Sequence, residues 1–113
     1  MKTRSAKAKG RRAASEVAAA LLACAPDLHP DDIRVTPSSV PGEDLMLSAA
    51  ARTRFPFAIE VKNCERLNIW SALEQARRHL KDETSVPLLV FRRNHTDLHV
   101  ALPFSDFLNL LKP

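Results

Sequence analysis

One short segment, residues 55–62, constrains the fold more than any other part of the chain. Large apolar residues at positions 57, 59 and 61 alternate with Ala58 and Glu60, which is the pattern of a β-strand. Because side chains alternate across a strand, Glu60 and Lys62 point to the same face of it. A carboxylate and an ammonium are costly to bury in an otherwise apolar strand unless something compensates them. The pattern predicts either a surface ion pair at a sheet end or a site that holds a metal ion.

The composition excludes several classes of protein. A chain of 113 residues, 45% of them hydrophobic, fits one small folded domain rather than a disordered segment. It has no apolar run near the roughly 20 residues that a membrane helix needs, so we expect no membrane contact and a cytoplasmic location. Cys24 and Cys64 are too few for a disulfide framework, and the four histidines are not placed at zinc-ligand spacings.

Positive charge is concentrated at the amino terminus. Six of the 17 basic residues precede the first acidic residue, Glu16, and the other 11 are outnumbered by 13 acidic residues. We therefore expect residues 1–9 to form a flexible basic arm ahead of a single domain at residues 10–113. Such an arm suits a nucleic-acid backbone, because each cation–phosphate contact releases condensed counterions, whereas a solubilising tail is the alternative. The predicted nucleic-acid contacts are Lys7, Lys9, Arg11, Arg12, Ser39 and Arg66.

Hydrophobic periodicity and turn residues divide the domain into eight elements in the order αβββαββα, which predicts an α/β fold. Trp70 and Phe104 are expected to lie in the core or at a dimer contact rather than to stack on bases, because the chain has few aromatic residues. Leu108, Leu110 and Leu111 are expected to be packed. The predicted helices cover residues 10–25, 69–81 and 103–111, and the predicted strands cover residues 33–40, 44–48, 55–62, 86–92 and 97–102.

Asp44 follows a Pro-Gly turn and opens the second predicted strand. If the second and third strands form a hairpin, Asp44 lies beside Glu60 and Lys62 at one end of the sheet. Two carboxylates, together with a backbone carbonyl and water, suit Mg²⁺ or Mn²⁺. Such a metal polarises a phosphodiester and lowers the pKa of an attacking water. Lys62 would orient that water or offset the charge that develops on the phosphoryl oxygens.

Two motifs in this region carry a resemblance to a known family. They are Pro41-Gly42-Glu43-Asp44-Leu45 and, further on, Ile59-Glu60-Val61-Lys62. Together they resemble the PD-(D/E)xK nuclease superfamily, most of all the small Holliday-junction resolvases and related phage endonucleases. The resemblance implies a restriction-endonuclease-like mixed central sheet flanked by helices. It also implies a Mg²⁺-dependent DNA endonuclease, selective for DNA structure, that acts as a homodimer in a bacterial or phage-infected cell.

The resemblance implies roles for single residues as well. Asp44, Glu60 and the position of Val61 would hold the metal ion, and Lys62 would assist the chemistry. In the resolvase group a glutamate on the first helix, after a basic segment that contains glycine, joins the metal site. Glu16 occupies that place and is expected to act with the other three.

Two positions leave alternatives open. Glu43 stands where the superfamily's name has proline, so either Glu43 or Asp44 could face the metal. We favour Asp44, because the leucines that follow it then alternate towards the core. Gln75 occupies the place of a catalytic glutamine that some relatives carry on the helix after the lysine, on the helix face of His79. A solvated helix position is the alternative for Gln75.

Three other functions are compatible with these features. A phage nicking or packaging-associated endonuclease would act on other branched or duplex DNA with the same site. A catalytically silent DNA-binding protein would keep the fold but would not need Asp44, Glu60 and Lys62 together. A small structural or interaction protein with a basic arm would show no metal dependence at all.

Overall fold

Two small β-sheets and four α-helices form the fold in the computed structural model, which describes residues 2–113 and the side chains of residues 6–113. The predicted α/β class is therefore confirmed. In chain order the elements are α1 (Lys2–Ala23), a 3₁₀ turn (Pro30–Asp32), β1 (Ile33–Val35), β2 (Leu45–Leu47), α2 (Ala49–Arg54), β3 (Phe57–Asn63), α3 (Ile69–Arg78), β4 (Val86–Arg92), β5 (His99–Ala101) and α4 (Phe104–Leu111).

The larger sheet has β3 at one edge. β3 pairs in parallel with β4, from Phe57 opposite Val86 to Asn63 opposite Arg92, and β5 pairs antiparallel on the far side of β4. Parallel neighbours need a crossover connection, and α3 supplies it. Consequently the carboxyl ends of β3 and β4 and the amino end of α3 lie at the same edge of the sheet.

The second and third predicted strands do not form a hairpin, and the ladder hydrogen bonds divide the strands into two sheets. β1 and β2 pair antiparallel in a sheet of their own, and α2 separates β2 from β3. Residues 49–54 form a helix because they contain three alanines and two arginines, which are good helix formers. Ser48 stabilises its amino end, since Ser48 Oγ accepts the backbone N–H of Ala51 at 3.1 Å.

The first helix is longer than predicted. α1 begins at Lys2 rather than at Gly10, so residues 2–9, which we expected to form a flexible arm, continue the helix. Alanine, lysine and arginine dominate this segment, and their helix propensity is high. Met1, the remaining residue of the predicted arm, lies outside the described residues. The helix ends at Ala23, shortly before Pro26, as the proline predicts.

The main core lies between α1 and the strands β1 and β3. Ala13, Ala14, Val17 and Ala18 of α1 are buried there, in one cluster with residues of both sheets. Because three of these four side chains are only methyl groups, the helix packs close to the strands. The exposed residues of the preceding turns of α1 are thereby held beside the outer edge of β3.

Several apolar residues that we expected to be packed lie at the surface. Phe104, Leu110 and Leu111 of α4 are 72%, 47% and 66% exposed, and Trp70 of α3 is 82% exposed. Trp70 and Phe104 therefore do not lie in the core, whereas a dimer contact at these residues stays a prediction, and Leu108 is also exposed. α4 follows the short edge strand β5, and within the described chain it lacks a layer that covers it. None of the described helices combines the length and the apolar character that crossing a membrane requires.

Candidate active site

The loop before β2 carries Asp44 to the outer edge of β3. Gly42 in this loop has a φ of 128°, a conformation that favours glycine. Asp44 then donates its backbone N–H to the carbonyl oxygen of Ile59 at 3.0 Å, and its Oδ2 accepts the N–H of Val61 at 2.7 Å. The approach of Asp44 to β3, which we expected from a hairpin, therefore arises from two hydrogen bonds across a strand edge.

Glu60 lies in the middle of β3 and is only 4% exposed. Burial raises the pKa of Glu60 to about 8, aided by the negative charge of Asp44 and by a hydrogen bond between the two carboxyl groups, while Lys62 acts in the opposite direction. Near neutral pH, Glu60 therefore retains its proton.

Glu43 is also buried, but its carboxylate has a counter-ion of its own. Arg52 of α2 donates a hydrogen bond to Glu43 Oε1 and forms an ion pair with it. Glu43 and Arg52 line one hollow together with Lys81, whereas Asp44 lines a different pocket together with Lys62. Of the two neighbours, Asp44 is thus the one that shares a pocket with the predicted catalytic lysine.

That pocket, of about 380 Å³, brings several predicted residues together. Asp44, Val61 and Lys62 line it on the strand side, and Lys7 and Arg11 line it from α1. The N–H and C=O groups of one strand residue point to the same side, so the carbonyl of Val61 points to the edge where Asp44 lies. The pocket therefore combines oxygen ligands with three cationic side chains, which are the groups that bind a divalent metal and a phosphate.

The available donors fit a hard cation that takes few protein ligands. Within the described residues, no group of three or more His, Cys, Asp or Glu side chains is arranged to hold a metal ion. Asp44, Glu60 and the carbonyl of Val61 are all oxygen donors, and Mg²⁺ commonly uses one or two carboxylates and completes its shell with water and phosphate. The charge of Asp44 helps to raise the pKa of Glu60, and a cation bound here would relieve that repulsion.

Glu16 is not brought to this cluster. Its two carboxylate oxygens accept hydrogen bonds from Arg92 at 2.7 and 2.8 Å, and the guanidinium lowers the pKa of Glu16. Arg92 ends β4 and reaches α1, because alternate residues of β4 point to the helix that covers this face. The structure therefore places Glu16 in a bidentate ion pair between α1 and β4, away from the pocket that contains Asp44.

The remaining predicted nucleic-acid contacts lie around the pocket without lining it. Lys9 donates a hydrogen bond to Asn94 Oδ1 at 3.1 Å, in the turn between β4 and β5. Arg12 lines a shallow hollow on α1, and Ser39 is exposed in the loop after β1, next to a serine that lines the pocket. Arg66 is exposed in the loop that follows β3. Lys7 and Arg11 are thus the two predicted contacts that face Asp44.

His79, at the carboxyl end of α3, is a neighbour of Glu60 that the sequence analysis did not select. Its Nδ1 lies 3.4 Å from Glu60 Oε1 and is a buried atom without a hydrogen-bond partner among the described residues. Gln75, which we predicted as a site residue, is half-buried one helical turn earlier. The sequence already shows that His79 shares a helix face with Gln75. It does not show that this face packs against β3, which depends on how α3 crosses the sheet.

Comparisons with known proteins do not identify the chain. No protein-family model matches it, and no curated protein or solved structure matches it either. Any function assigned to the protein must therefore come from the geometry around Asp44, Glu60 and Lys62.

We expect the variant Glu60→Gln to be more stable than the wild type in metal-free buffer above pH 8. The pKa of Glu60 is raised from 4.5 to about 8 by folding, so the stability that the protonated group contributes is fully present below pH 4.5 and is lost as the pH rises through 8. Glutamine keeps the neutral form at every pH. Thermal unfolding with EDTA should show a higher Tm for the variant, by about 5 °C.

The exposed Glu83→Gln variant is the matched control, and its Tm should follow that of the wild type at every pH. Addition of Mg²⁺ should raise the Tm of the wild type, because a ligand that binds the folded state stabilises that state. It should not raise the Tm of Glu60→Gln, which has lost one of the two carboxylates. Parallel pH curves for the wild type and Glu60→Gln would contradict the assignment of a proton to the buried pair.

Proposed function

We propose that this protein is a Mg²⁺-dependent DNA endonuclease that hydrolyses phosphodiester bonds and selects its substrate by structure, as a Holliday-junction resolvase does. One observation carries the proposal. Asp44, Val61 and Lys62 line a pocket beside the buried Glu60, and cationic side chains of α1 line its opposite wall. This is the combination of acidic and basic groups that phosphodiester hydrolysis needs, assembled from three separate parts of the chain.

Asp44, Glu60 and the carbonyl oxygen of Val61 would hold the Mg²⁺ ion, for which Mn²⁺ would substitute. When bound, the metal supplies Lewis acidity at the phosphate and lowers the pKa of a bound water. Glu60 would have to give up its proton to bind the metal, so the affinity for metal should rise with pH.

The cationic residues hold and neutralise the substrate. Lys7 and Arg11 bind the phosphate oxygens on either side of the scissile bond, since both face the pocket from α1. Lys62 donates a hydrogen bond to the attacking water or to a phosphoryl oxygen and offsets the charge that develops there. Hydrolysis forms one bond between the water oxygen and phosphorus, and breaks the bond between phosphorus and the leaving oxygen. The attacking water loses one proton to the solvent, and the leaving oxygen takes one proton from the solvent.

The proposed fold is the restriction-endonuclease-like arrangement of this superfamily. The hydrogen bonds that Asp44 makes with Ile59 and Val61 support it, because they join the β1–β2 sheet to the outer edge of β3. Glu60 and Lys62 then lie on β3, the strand of the larger sheet whose outer edge is hydrogen-bonded to Asp44. The additional helix α2 is an insertion between the two motifs.

A second copy of the chain is the proposed partner, and α4 is the surface that we assign to the contact. Phe104, Leu108 and Leu111 follow a spacing of three and four residues, so they share one face of α4, and Val100 on the edge strand β5 is 58% exposed. Apolar patches larger than a few hundred Å² are rare on soluble monomers and mark interfaces. A dimer would carry two sites, as paired cuts in branched DNA require.

A catalytically silent DNA-binding protein is the alternative from another class. The burial of Glu60 beside Asp44 favours an active enzyme. This arrangement lowers the stability of the fold, and a protein that only binds DNA would gain nothing from it. A nicking or packaging-associated endonuclease would share the site and differ only in its DNA.

We expect the purified protein to cut DNA only when Mg²⁺ or Mn²⁺ is present. Four-way junctions, linear duplexes and single strands, each with and without metal, should show cleavage of the junction above all. Asp44→Asn removes a metal ligand and Lys62→Ala removes the ammonium, so each should slow cleavage by about a hundredfold or more. DNA binding in EDTA, measured by fluorescence anisotropy, should stay within a few fold of wild type.

Glu83→Gln and Lys112→Ala are the controls, since both remove an exposed charge of the same kind outside the pocket. Cleavage without metal, or at an unchanged rate in Asp44→Asn, would refute the proposed mechanism. Binding without cleavage of any substrate would indicate the silent DNA-binding protein.

Lys7→Ala and Arg11→Ala should each weaken DNA binding and make it less dependent on salt. Each phosphate contact that is lost lowers the slope of log affinity against log salt concentration by about 0.9 for duplex DNA. Anisotropy titrations over a series of salt concentrations measure this slope, and Lys112→Ala should leave it unchanged. Unaltered slopes for both α1 variants would show that the basic helix does not contact the phosphate backbone.

The double variant Phe104→Glu/Leu108→Glu should convert a dimer into a monomer. Two carboxylates on the proposed contact face cannot be desolvated without counter-ions, so the interface should not form. Light scattering coupled to size exclusion gives the mass, and Asn109→Glu, between these positions and the end of the helix, is the control. A wild-type protein of monomer mass at high concentration would contradict the proposed dimer.

A further inference from the structure

Trp70 is a large aromatic residue that belongs neither to the core nor to the candidate active site. It lies in the first turn of α3 and is 82% exposed. An indole gains more than most side chains from burial, and tryptophan in a binding surface is typically a main contributor of binding energy. Its exposure therefore indicates a ligand rather than a structural role.

The surroundings of Trp70 combine apolar and cationic groups. Arg66, Leu67, Ile69 and Trp70 line one open hollow. Leu67 and Ile69 also line the adjacent cleft, of about 360 Å³, to which Arg93 contributes. We call these five residues the Trp70 surface.

Two further rings extend this surface into the cleft. Phe91 and His99 both line it, and their ring centroids are 5.9 Å apart. Hydrogen bonds tie the walls of the cleft together, since Glu65 Oε2 accepts the N–H of Asn94 at 2.6 Å and Cys64 donates its N–H to the carbonyl of Arg92 at 3.2 Å. The surface is thus built on fixed elements at the carboxyl edge of β3 and β4.

The Trp70 surface lies about one length of α3 from Glu60. Trp70 and His79 are nine positions apart on α3, which corresponds to about 14 Å along the helix axis. His79 in turn lies 3.4 Å from Glu60. Since successive base pairs of DNA are about 3.4 Å apart, this distance corresponds to about four base-pair steps.

From this arrangement we infer that the Trp70 surface binds an unpaired nucleobase of the DNA, a few nucleotides from the phosphate in the candidate active site. The inference rests on the proposed nuclease function. A base stacks on the indole of Trp70, and Arg66 and Arg93 contact the phosphates on either side of it. A base inside a duplex already has both faces stacked, so the surface selects strands with unpaired bases, such as those near a branch or a loop.

The chain contains a single tryptophan and no tyrosine, so its intrinsic fluorescence reports on Trp70 alone. The wild-type protein in EDTA is titrated with oligothymidylate and with an abasic oligomer of the same length and charge. Stacking quenches indole emission, so oligothymidylate should quench it strongly. The abasic oligomer should leave it nearly unchanged, and a blunt duplex should quench it weakly.

Variants separate stacking from phosphate binding. By anisotropy with labelled oligothymidylate, Trp70→Ala should bind about tenfold more weakly, and Trp70→Phe should retain part of the affinity because a phenyl ring also stacks. Both variants should bind the abasic oligomer as the wild type does. Val40→Ala, which removes an exposed apolar side chain elsewhere, should match the wild type on both probes.

Equal quenching or equal affinity for the two oligomers would overturn the inference. A change in mass of Trp70→Ala on size exclusion would also overturn it, because Trp70 would then belong to a contact between proteins. Asp44→Asn should show the same quenching as the wild type, since no metal or cleavage is involved. Quenching without cleavage would therefore refute the nuclease alone, and cleavage without base-dependent quenching would refute the Trp70 surface alone.

Discussion

The contact between Asp44 and the outer edge of β3 determines the arrangement of the candidate active site. The backbone N–H of Asp44 and its carboxylate use neighbouring groups of Ile59 and Val61, which would otherwise be unpaired at a strand edge. These hydrogen bonds join the small sheet to the large one. They also place the carboxylate beside Glu60, so the contact that completes the fold creates the electrostatic strain of the site.

That strain is local, because the other carboxylates nearby have partners. Arg52 neutralises Glu43, and Arg92 binds both oxygens of Glu16. Asp44 and Glu60 face each other instead, and burial beside the charge of Asp44 raises the pKa of Glu60 to about 8. Under the proposed function, a metal ion would displace the proton of Glu60, which would couple metal binding and stability to pH.

Local patterns located five strands and three of the four α-helices of the described chain, because period and turn residues act over a few positions. They missed α2 and made the strand that begins at Ile33 five residues too long. The strand 86–92 has the predicted bounds, and Glu60 and Lys62 lie on the strand expected for them. The distant partners were not predictable in the same way. The arginine that binds Glu16 is 76 positions away, and a helix glutamate that could reach a metal has the same sequence signature as one in an ion pair.

Periodicity also does not distinguish a face that packs within the chain from one that packs against another molecule. The sequence predicts packed positions for the leucines of α4 and a core or dimer-contact position for the tryptophan of α3, since burial in either setting selects apolar side chains. Their neighbours separate them in the structure. The exposed face of α4 is apolar over successive turns, which suits a second protein surface, whereas Trp70 shares its hollow with Arg66. Aromatic and cationic groups in combination suit a ligand that is flat and anionic, as a nucleotide is.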